Sequence, residues 1–402
     1  MGTTAQHTLR PTPGGEDMAI RTRTGRRHPA LVPATLAVLT ACLVVPSTAA
    51  SADTGPQIVE QVGAAMVTDG INFWADEFAV DSQGRMWEFE QSGSDWSKAD
   101  RGYPSRDSSS TTIVEGAGAV GVNHGVRAYA IGADGNLWEF SHDGDATSWA
   151  KFPRPDGAGR IVDAVGADTT EYGMPVVVVL DDARQLWQYR YDGTRWGTES
   201  LGTVPADAGQ LRTVAGMGKF NGGAYAFAIS NRNELWSVHK TRNGRWTWFS
   251  WGTHPEGRSF SSLGVTWGNG GLLHAFVRAG DGHAWRVSWD DPRQTGRWDD
   301  LGAPPAVPLT GNGGGVAQFG SVEQITALGN DGRLWSTMTG QGPTNIWSKA
   351  AVPAGFPSLN KELGSRTVEG DLHTFAVDAE KDLWVATYSY NRNLWAWKEI
   401  SE

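Results

Sequence analysis

Seven copies of one short motif, spaced almost evenly, constrain this chain more than any other feature. The clearest copy is Asp331-Gly332-Arg333-Leu334-Trp335, and its tryptophan recurs every 49 to 51 residues. A fixed period of this length is typical of repeat architectures, in which each copy is one structural unit. The tryptophans of this first register are Trp87, Trp138, Trp187, Trp236, Trp285, Trp335 and Trp384.

The residues around each tryptophan predict the strands of one repeat. Small and large apolar side chains stand eight and nine residues before it, and such alternation is the period of a β-strand. The Asp-Gly pair forms a tight turn, and the tryptophan begins the next strand of a hairpin. A glycine-rich segment precedes the hairpin, and a fourth segment follows it. That fourth segment carries a second register of tryptophans: Trp96, Trp149, Trp196, Trp246, Trp298, Trp347 and Trp395.

Four short strands repeated seven times predict an all-β fold, a seven-bladed β-propeller with four antiparallel strands per blade. A single blade cannot bury two apolar sheet faces, so the blades must stack and the ring must close. Small residues belong where backbones crowd, which places the glycine-rich first strand along the axis. The sequence leaves open how the ring closes. The predicted blades cover roughly 57–108, 109–157, 158–208, 209–256, 257–305, 306–354 and 355–402.

The first 52 residues differ from the rest and predict a secretion signal peptide, so that 53–402 form a single propeller domain. A basic patch precedes an apolar run, and Ala50-Ser51-Ala52 fits a cleavage site. Met18 is an alternative start. Two alternatives to a general secretory signal stay open: a twin-arginine signal at Arg26-Arg27, and a lipobox that would make Cys42 a lipid anchor. We expect a secreted, extracellular protein.

Cysteine content and charge narrow the class further. Cys42 is the only cysteine, so the chain after residue 52 contains no disulfide and depends on burial for its stability. The net charge is −10, and the first 52 residues carry five arginines against two acidic side chains, so the remainder is more acidic still. An acidic net charge disfavours binding to nucleic acids and anionic lipids, because proteins that bind them usually present a basic patch. We expect no nucleic-acid partner and no membrane insertion.

The search for catalytic motifs is negative. The sequence has no H-E-x-x-H, no EF-hand loop, no phosphate-binding loop and no G-x-S-x-G elbow. Its histidines lack metal-ligand spacing. We therefore expect no catalytic residues, no metal and no cofactor. A propeller glycoside hydrolase stays open as an alternative, because two carboxylates from different blades could meet across the ring and act as its catalytic pair.

Aromatic side chains near the link between strands one and two are the candidate ligand-binding residues. Flat rings presented from loops suit the apolar face of a sugar, and nearby polar groups bind its hydroxyls. The alternative interpretation is that these rings fold inward and plug the ends of the blades. The candidates are Trp74, His124, Tyr172, Phe220, Trp267 and Phe319, joined by Arg127, His274 and His373, which stand eleven residues before their register tryptophans.

The repeat, D-G-x-L-W followed by a second tryptophan, resembles the tectonin and tachylectin-like propellers and the bacterial PLL-like seven-bladed lectins. The resemblance covers essentially all of 57–402. It implies sugar pockets at or between blades, each with an aromatic ring and polar side chains. Asp-Gly is missing from rows one, three, four and seven, so the sites are not expected to be equally occupied.

An exported, acidic propeller without cysteine is also similar to the lectin subunits of secreted umbrella toxin particles. That resemblance implies a larger secreted protein complex as a partner. We therefore predict a secreted, non-catalytic, carbohydrate-binding propeller that recognises cell-surface or extracellular glycans multivalently. The alternative is a protein-docking propeller scaffold without a sugar site.

Overall fold

The computed structural model describes most of the chain after residue 54. The described residues are 55–68, 73–106, 109–122, 125–169, 174–220, 223–241, 243–267, 273–290, 295–310, 314–319, 322–339, 345–368 and 370–402. The predicted signal peptide, with Met18 and Cys42, lies outside them, as do His124 and Tyr172. The side chains of Phe220, Trp267 and Phe319 also lie outside this description, although their backbones are within it.

Seven antiparallel sheets of four strands, each built from strands consecutive in sequence, form the described fold. The predicted seven-bladed β-propeller is confirmed. Blade 1 contains β1 (Ile58–Thr68), β2 (Phe73–Asp81), β3 (Met86–Ser92) and β4 (Asp95–Gly102). A short hairpin of β5 (Ser105–Arg106) and β6 (Ser109–Ser110) follows. Blade 2 contains β7 (Ile113–Val122), β8 (Gly125–Gly132), β9 (Leu137–Asp143) and β10 (Ala146–Lys151). Blade 3 contains β11 (Ile161–Thr169), β12 (Pro175–Asp181), β13 (Leu186–Tyr191) and β14 (Trp196–Gly202).

The remaining blades follow the same order. A 3₁₀ turn (Ala206–Ala208) leads into blade 4. Blade 4 contains β15 (Leu211–Phe220), β16 (Gly223–Ser230), β17 (Glu234–Lys240) and β18 (Trp246–Thr253). Blade 5 contains β19 (Phe260–Trp267), β20 (Leu273–Ala279), β21 (Ala284–Asp290) and β22 (Thr295–Gly302). Blade 6 contains β23 (Gly315–Phe319), β24 (Val322–Leu328), β25 (Leu334–Met338) and β26 (Ser348–Lys349). Blade 7 contains β27 (Leu359–Val368), β28 (Asp371–Asp378), β29 (Leu383–Ser389) and β30 (Leu394–Glu399).

The ring has two faces, because consecutive antiparallel strands end alternately at opposite edges. We call the face with the turns between second and third strands, and with the blade-to-blade connections, the turn face. The face with the links between first and second and between third and fourth strands is the link face. The interface between two neighbouring blades is a seam, named by its blades. Among the predicted sugar-binding aromatics, Trp74 and the strand ends at Phe220, Trp267 and Phe319 belong to the link face.

One backbone conformation recurs at every turn on the turn face. The residue three before each register tryptophan has positive φ, which glycine adopts without steric cost. Glycine fills this position in four blades, whereas Arg184, Asn233 and Lys381 fill it in the others, at φ of 64°, 56° and 72°. The missing Asp-Gly pairs therefore leave the turn itself unchanged.

An aspartate in the turn accepts a hydrogen bond from the indole N–H of the register tryptophan in five blades. In blades 1, 3 and 7 this aspartate lies six residues before the tryptophan, as in the 3.0 Å bond from Trp87 to Asp81. In blades 2 and 6 it lies four residues before, as in the 3.1 Å bond from Trp335 to Asp331. In blades 4 and 5 the indole nitrogens of Trp236 and Trp285 are buried without a partner.

The first strands line a central channel, and consecutive first strands contact one another around the ring. Their glycines are required by close approach: a Cβ on Gly63 would lie 2.6 Å from the backbone nitrogen of Ala119. This explains the glycine-rich first segment of each repeat.

The ring closes without exchanging a strand, because blade 1 and blade 7 are each built from one continuous stretch of chain. Ile58 donates its N–H to the carbonyl of Lys381 at 3.0 Å, the same bond that Ile113 makes to Gly84 inside the chain. The rings of Trp96 and Phe375 also pack edge to face across this seam, 5.9 Å apart. The closing seam thus uses the contacts of the other seams.

Outer tryptophans join the blades at the rim. Trp149, Trp298 and Trp347 donate their indole N–H to a backbone carbonyl in the fourth strand of the preceding blade, or just after it, at 3.0 Å. Trp248 and Trp397 make the equivalent bonds at 3.1 and 2.8 Å, two residues after the second register. These two extra tryptophans therefore serve the packing of blades.

Candidate functional site

Trp74 packs inward. It lies in β2, pairs with Val67 of β1, and contacts the apolar core shared by blades 1 and 2 while remaining partly buried. This packing resembles the inward-folding alternative more than a ring presented from a loop.

The other described aromatics of the predicted set end the first strands of their blades. Phe220, Trp267 and Phe319 are the last residues of β15, β19 and β23, where they pair with Gly223, Leu273 and Val322. Their backbones therefore lie at the edge of the link face. Trp74 differs from them, because it lies on a second strand.

Arg127 lies at the link-face end of seam 2–3. Its guanidinium forms two hydrogen bonds to the carboxylate of Asp143, at 2.9 and 2.8 Å, and lies 3.9 Å from Glu139. Burial of the guanidinium works to lower the pKa of Arg127, but the two carboxylates outweigh burial and raise it. The pair leaves about a fifth of the arginine side chain exposed (22%).

His274 belongs to a charged network at seam 5–6. Its Nδ1 lies 2.5 Å from a carboxylate oxygen of Glu323, which comes from blade 6, and both side chains are buried. Thr339 donates a hydrogen bond to the other oxygen of Glu323 at 2.7 Å. Arg286 stands 3.7 Å from the same oxygen and bonds Asp299 at 3.1 Å.

The outer part of this network is open to solvent, and part of it is unsatisfied. The side chains of Arg286 and Asp299 are 23% and 31% exposed. The Nε of Arg286 and the hydroxyl of Ser288 are buried without hydrogen-bond partners. Ser288 pairs with His274 across the strands, so the free groups face the same seam.

His373 lies at seam 7–1 beside Trp96, with ring centroids 6.2 Å apart. Burial lowers the pKa of His373 to about 4, so the ring is neutral at physiological pH. Its Nδ1 is buried without a hydrogen-bond partner. The histidine is thus a buried neutral group next to an aromatic face.

Seam 1–2 holds a second charged network that the sequence did not indicate. Glu88 is buried, receives a hydrogen bond from Arg101 at 2.5 Å, and lies 2.7 Å from His142 of blade 2. Asp76 is buried in the same seam and leaves one carboxyl oxygen without a partner. Burial, followed by repulsion from Glu88 and Glu90, raises the pKa of Asp76 to about 8.

A signal for these networks was present one residue after each register tryptophan. That position faces the next blade from inside the third strand, where an apolar side chain is expected. It is polar in six of the seven blades: Glu88, Glu139, Gln188, Ser237, Arg286 and Ser336, with Val385 in blade 7.

Among the described residues, no group of three or more His, Cys, Asp and Glu side chains is arranged to hold a metal ion. Within the same part of the chain, no helix has the length and apolar character to cross a membrane.

The chain shares its fold with solved propellers. No protein-family profile and no curated protein matches the sequence. A crystal structure of the fungal lectin of Aleuria aurantia, described as a six-bladed β-propeller with a novel fucose recognition mode, has a TM-score of 0.48 and 15% identity over 85% of this chain and 96% of that chain. AofleA from Arthrobotrys oligospora gives a TM-score of 0.47 and 12% identity over 87% and 88% of the two chains.

An enzyme structure is also similar. The S511A mutant of puromycin hydrolase, complexed with PGG, gives a TM-score of 0.56 and 13% identity over 85% of this chain. The match spans 53% of that protein, about half its length. At such identities the likeness shows the propeller fold alone, and the two lectins, below 0.5, add no argument about ligands.

Proposed function

We propose that this chain is a secreted, non-catalytic, carbohydrate-binding propeller, and that it binds glycans at the link-face ends of its seams. The observation that carries the proposal is the network at seam 5–6. There the partly exposed pair of Arg286 and Asp299 stands over the buried pair of His274 and Glu323.

The chemistry of this network suits sugar hydroxyls. A guanidinium donates through several N–H groups in a fixed plane, and a carboxylate accepts through two oxygens, so together they can bind neighbouring hydroxyl groups. Glu323 and Thr339 hold the arginine side of the site in place from blade 6. The backbone of Trp267 ends its strand one residue beyond Thr266, the partner of His274.

Related but unequal sites support multivalent binding. Seam 2–3 offers Arg127 with Asp143 at its link-face end. Weak binding at several seams becomes strong on a surface that presents many copies of one glycan. The same ring is suited to act as the targeting subunit of a larger secreted complex.

The experiment is a glycan array that includes α-methyl-L-fucoside, probed with the purified protein at several concentrations and followed by titration of the best ligand. We expect Arg286→Ala to weaken binding about ten- to a hundredfold, because a hydrogen bond to a charged group is worth about 1.5–3 kcal/mol. Arg297→Ala is the matched control. Arg297 binds the same carboxylate at 3.0 Å but is 56% exposed and does not contact Glu323.

The outcomes separate the alternatives. An array without any bound glycan, from protein that melts cooperatively, would favour the protein-docking scaffold. Turnover of a glycan that disappears in Asp76→Asn or Glu88→Gln would indicate a hydrolase. Equal loss of affinity in Arg286→Ala and Arg297→Ala would place the sugar elsewhere.

A further inference from the structure

We propose that the turn face beside the first strand of blade 5 carries an oxyanion-binding site for a carboxylate or a sulfate group, separate from the sugar site on the link face. A cavity of about 510 Å³ opens there between blades 4 and 5. It is lined by two arginines, three serines and backbone, without a carboxylate: Arg212, Thr213, Val214, Ser259, Phe260, Ser261, Ser262, Arg278 and Gly280.

Arg278 breaks the repeat at a buried position. It stands seven residues before its register tryptophan, in the second strand of blade 5. The six other blades place a buried aliphatic side chain there: Val80, Ile131, Leu180, Ile229, Leu328 and Val377. Packing therefore favours an aliphatic residue at this position and does not explain why blade 5 has an arginine there.

The backbone of blade 5 also departs from the repeat beside this arginine. Blades 1, 2, 3, 4 and 7 begin their first strands with a bulge that inserts one unpaired residue, as between Ile58 and Glu60. In blade 5, Phe260 and Ser261 pair with Ala279 and Arg278 without that extra residue. The first strand of blade 5 thus lacks the extra residue that those five blades have, at the point where it lines the cavity.

The seam is open on this face as well. In five seams the residue at the start of a blade donates its backbone N–H to the turn of the preceding blade, as Ile161 does to Gly135 at 3.1 Å. In blade 6 this residue is Leu309, which precedes the first strand. Among the described residues, Phe260 makes no such bond to the turn of blade 4. Instead Arg212, the bulge residue of blade 4, crosses the seam and donates to the carbonyl of Phe260 at 2.9 Å.

The guanidinium of Arg278 is poorly satisfied. The side chain extends from β20 towards blade 6. Its terminal nitrogens reach only the carbonyl of Leu309, at the start of blade 6, and the hydroxyl of Ser261 in β19, each at 3.4 Å, and its Nε is buried without a partner. Burial lowers the pKa of Arg278. A half-buried guanidinium is normally paired with an acid, and an oxyanion would supply that partner.

The surrounding acids are already engaged. In the part of the chain that the structure describes, neither Arg212 nor Arg278 forms a salt bridge. Asp281, close to the cavity in sequence, is held by Arg258 at 3.3 Å. Asp163 accepts a hydrogen bond from Thr213 at 2.6 Å on the inner side of the cavity. The two arginines therefore present unopposed positive charge on a protein whose net charge is −10.

The test is calorimetric titration of the purified protein, at constant ionic strength, with inorganic sulfate and with glucuronate, using glucose as the uncharged control. We expect at least one anion to bind and glucose not to bind. Arg278→Leu, which installs the residue that blades 3 and 6 carry at this register, should weaken anion binding by about tenfold or more. Its melting temperature should be unchanged or higher, since the other blades bury an aliphatic side chain there.

Arg160→Ala is the matched control on the same face, because Arg160 is exposed and donates to the carbonyl of Ala133, away from the cavity; it should leave anion affinity unchanged. Binding of sulfate without glucuronate would assign the site to tetrahedral oxyanions, and the reverse result to carboxylates. The proposal would be overturned if neither anion bound, or if both bound Arg278→Leu as tightly as the natural protein. A large drop in melting temperature in Arg278→Leu would also count against it, because the arginine would then be structural. A monosaccharide bound at the sugar site on the link face would bind the natural protein and Arg278→Leu equally, so only the anion binding that Arg278→Leu loses is assigned to the cavity.

Discussion

Carboxylates occur in two contrasting environments in this ring. On the turn face, burial works to raise the pKa of Asp81, but hydrogen bonds from Trp87 and from backbone N–H groups outweigh it and lower the pKa. Between the blades, burial raises the pKa of Asp76 and of Glu362 to about 8, and each keeps an oxygen without a partner. The turn carboxylates stabilise the fold, whereas the seam carboxylates cost stability.

The contrast separates structural roles from functional ones. In five blades the aspartate and the tryptophan of the repeat motif form a hydrogen bond with each other inside the turn. The seams hold the polar groups that the fold does not satisfy, and incompletely satisfied groups are where binding is expected.

The largest expected effect comes from breaking a turn. Asp81→Ala should lower the free energy of unfolding by about 2–3 kcal/mol, because it leaves the indole of Trp87 and two backbone N–H groups without their acceptor. Urea denaturation measures the change. The control is Asp192→Ala, which removes an exposed aspartate that accepts bonds from Thr194 and Arg195 and should have no measurable effect. Equal losses in both variants would contradict the structural role of the turn.

The seam carboxylates predict an unusual pH dependence. The folded-state pKa of Asp76, about 8, exceeds its ordinary value of 3.8, so the folded protein keeps a proton that the unfolded chain releases. Its contribution to stability is complete below that ordinary value and is lost as the pH rises towards 8. Between about pH 6.5 and 8 this group alone should remove about 2 kcal/mol.

Urea midpoints at these two pH values test the effect. Glu362 acts in the same direction. His373, with a pKa of about 4, is neutral in the fold, while the unfolded histidine, with an ordinary pKa of 6.5, loses its remaining proton over this range and offsets only about 0.4 kcal/mol. Asp76→Asn should reduce the pH dependence and raise stability at the higher pH. A protein that is equally stable at both pH values would show that Asp76 is ionised in the fold.

The smallest effect should come from completing a turn. Ser230 is buried in blade 4 at the position of Asp81, and it accepts N–H groups from Arg232 and Glu234 at 3.3 Å. Ser230→Asp would add an acceptor for the unpaired indole of Trp236 and should stabilise the protein by about 1 kcal/mol. Denaturation at neutral pH measures the gain. A loss of stability would mean that blade 4 has adapted its turn to serine.

The sequence predicted the blades well because their signals are local. The turn, the alternating strand residues and both tryptophans of a repeat lie within a short stretch of chain, so spacing alone exposes them. The absence of Asp-Gly from four repeats predicted unequal sugar sites. The structure shows that Asp81, Asp181 and Asp378 do the same work from two residues further upstream.

The candidate site was predicted less completely. Arg127, His274 and His373 lie at the seams, but two of them are buried and act with partners that the sequence did not indicate. Trp74 contacts the core, while Phe220, Trp267 and Phe319 keep their status as predictions, as do His124 and Tyr172, which lie outside the described residues.

By itself the sequence determined the number of blades, the strands of each blade and the turn that joins them, because these depend on residues close together in the chain. Only the tertiary structure decided which polar groups meet. Glu88 and His142 are 54 residues apart, His274 and Glu323 are 49 apart, and Lys361 reaches Glu60 across 301 residues to help close the ring. Such pairs depend on how neighbouring blades stack, and the repeat fixes this stacking for the apolar residues but leaves the polar partners to each seam.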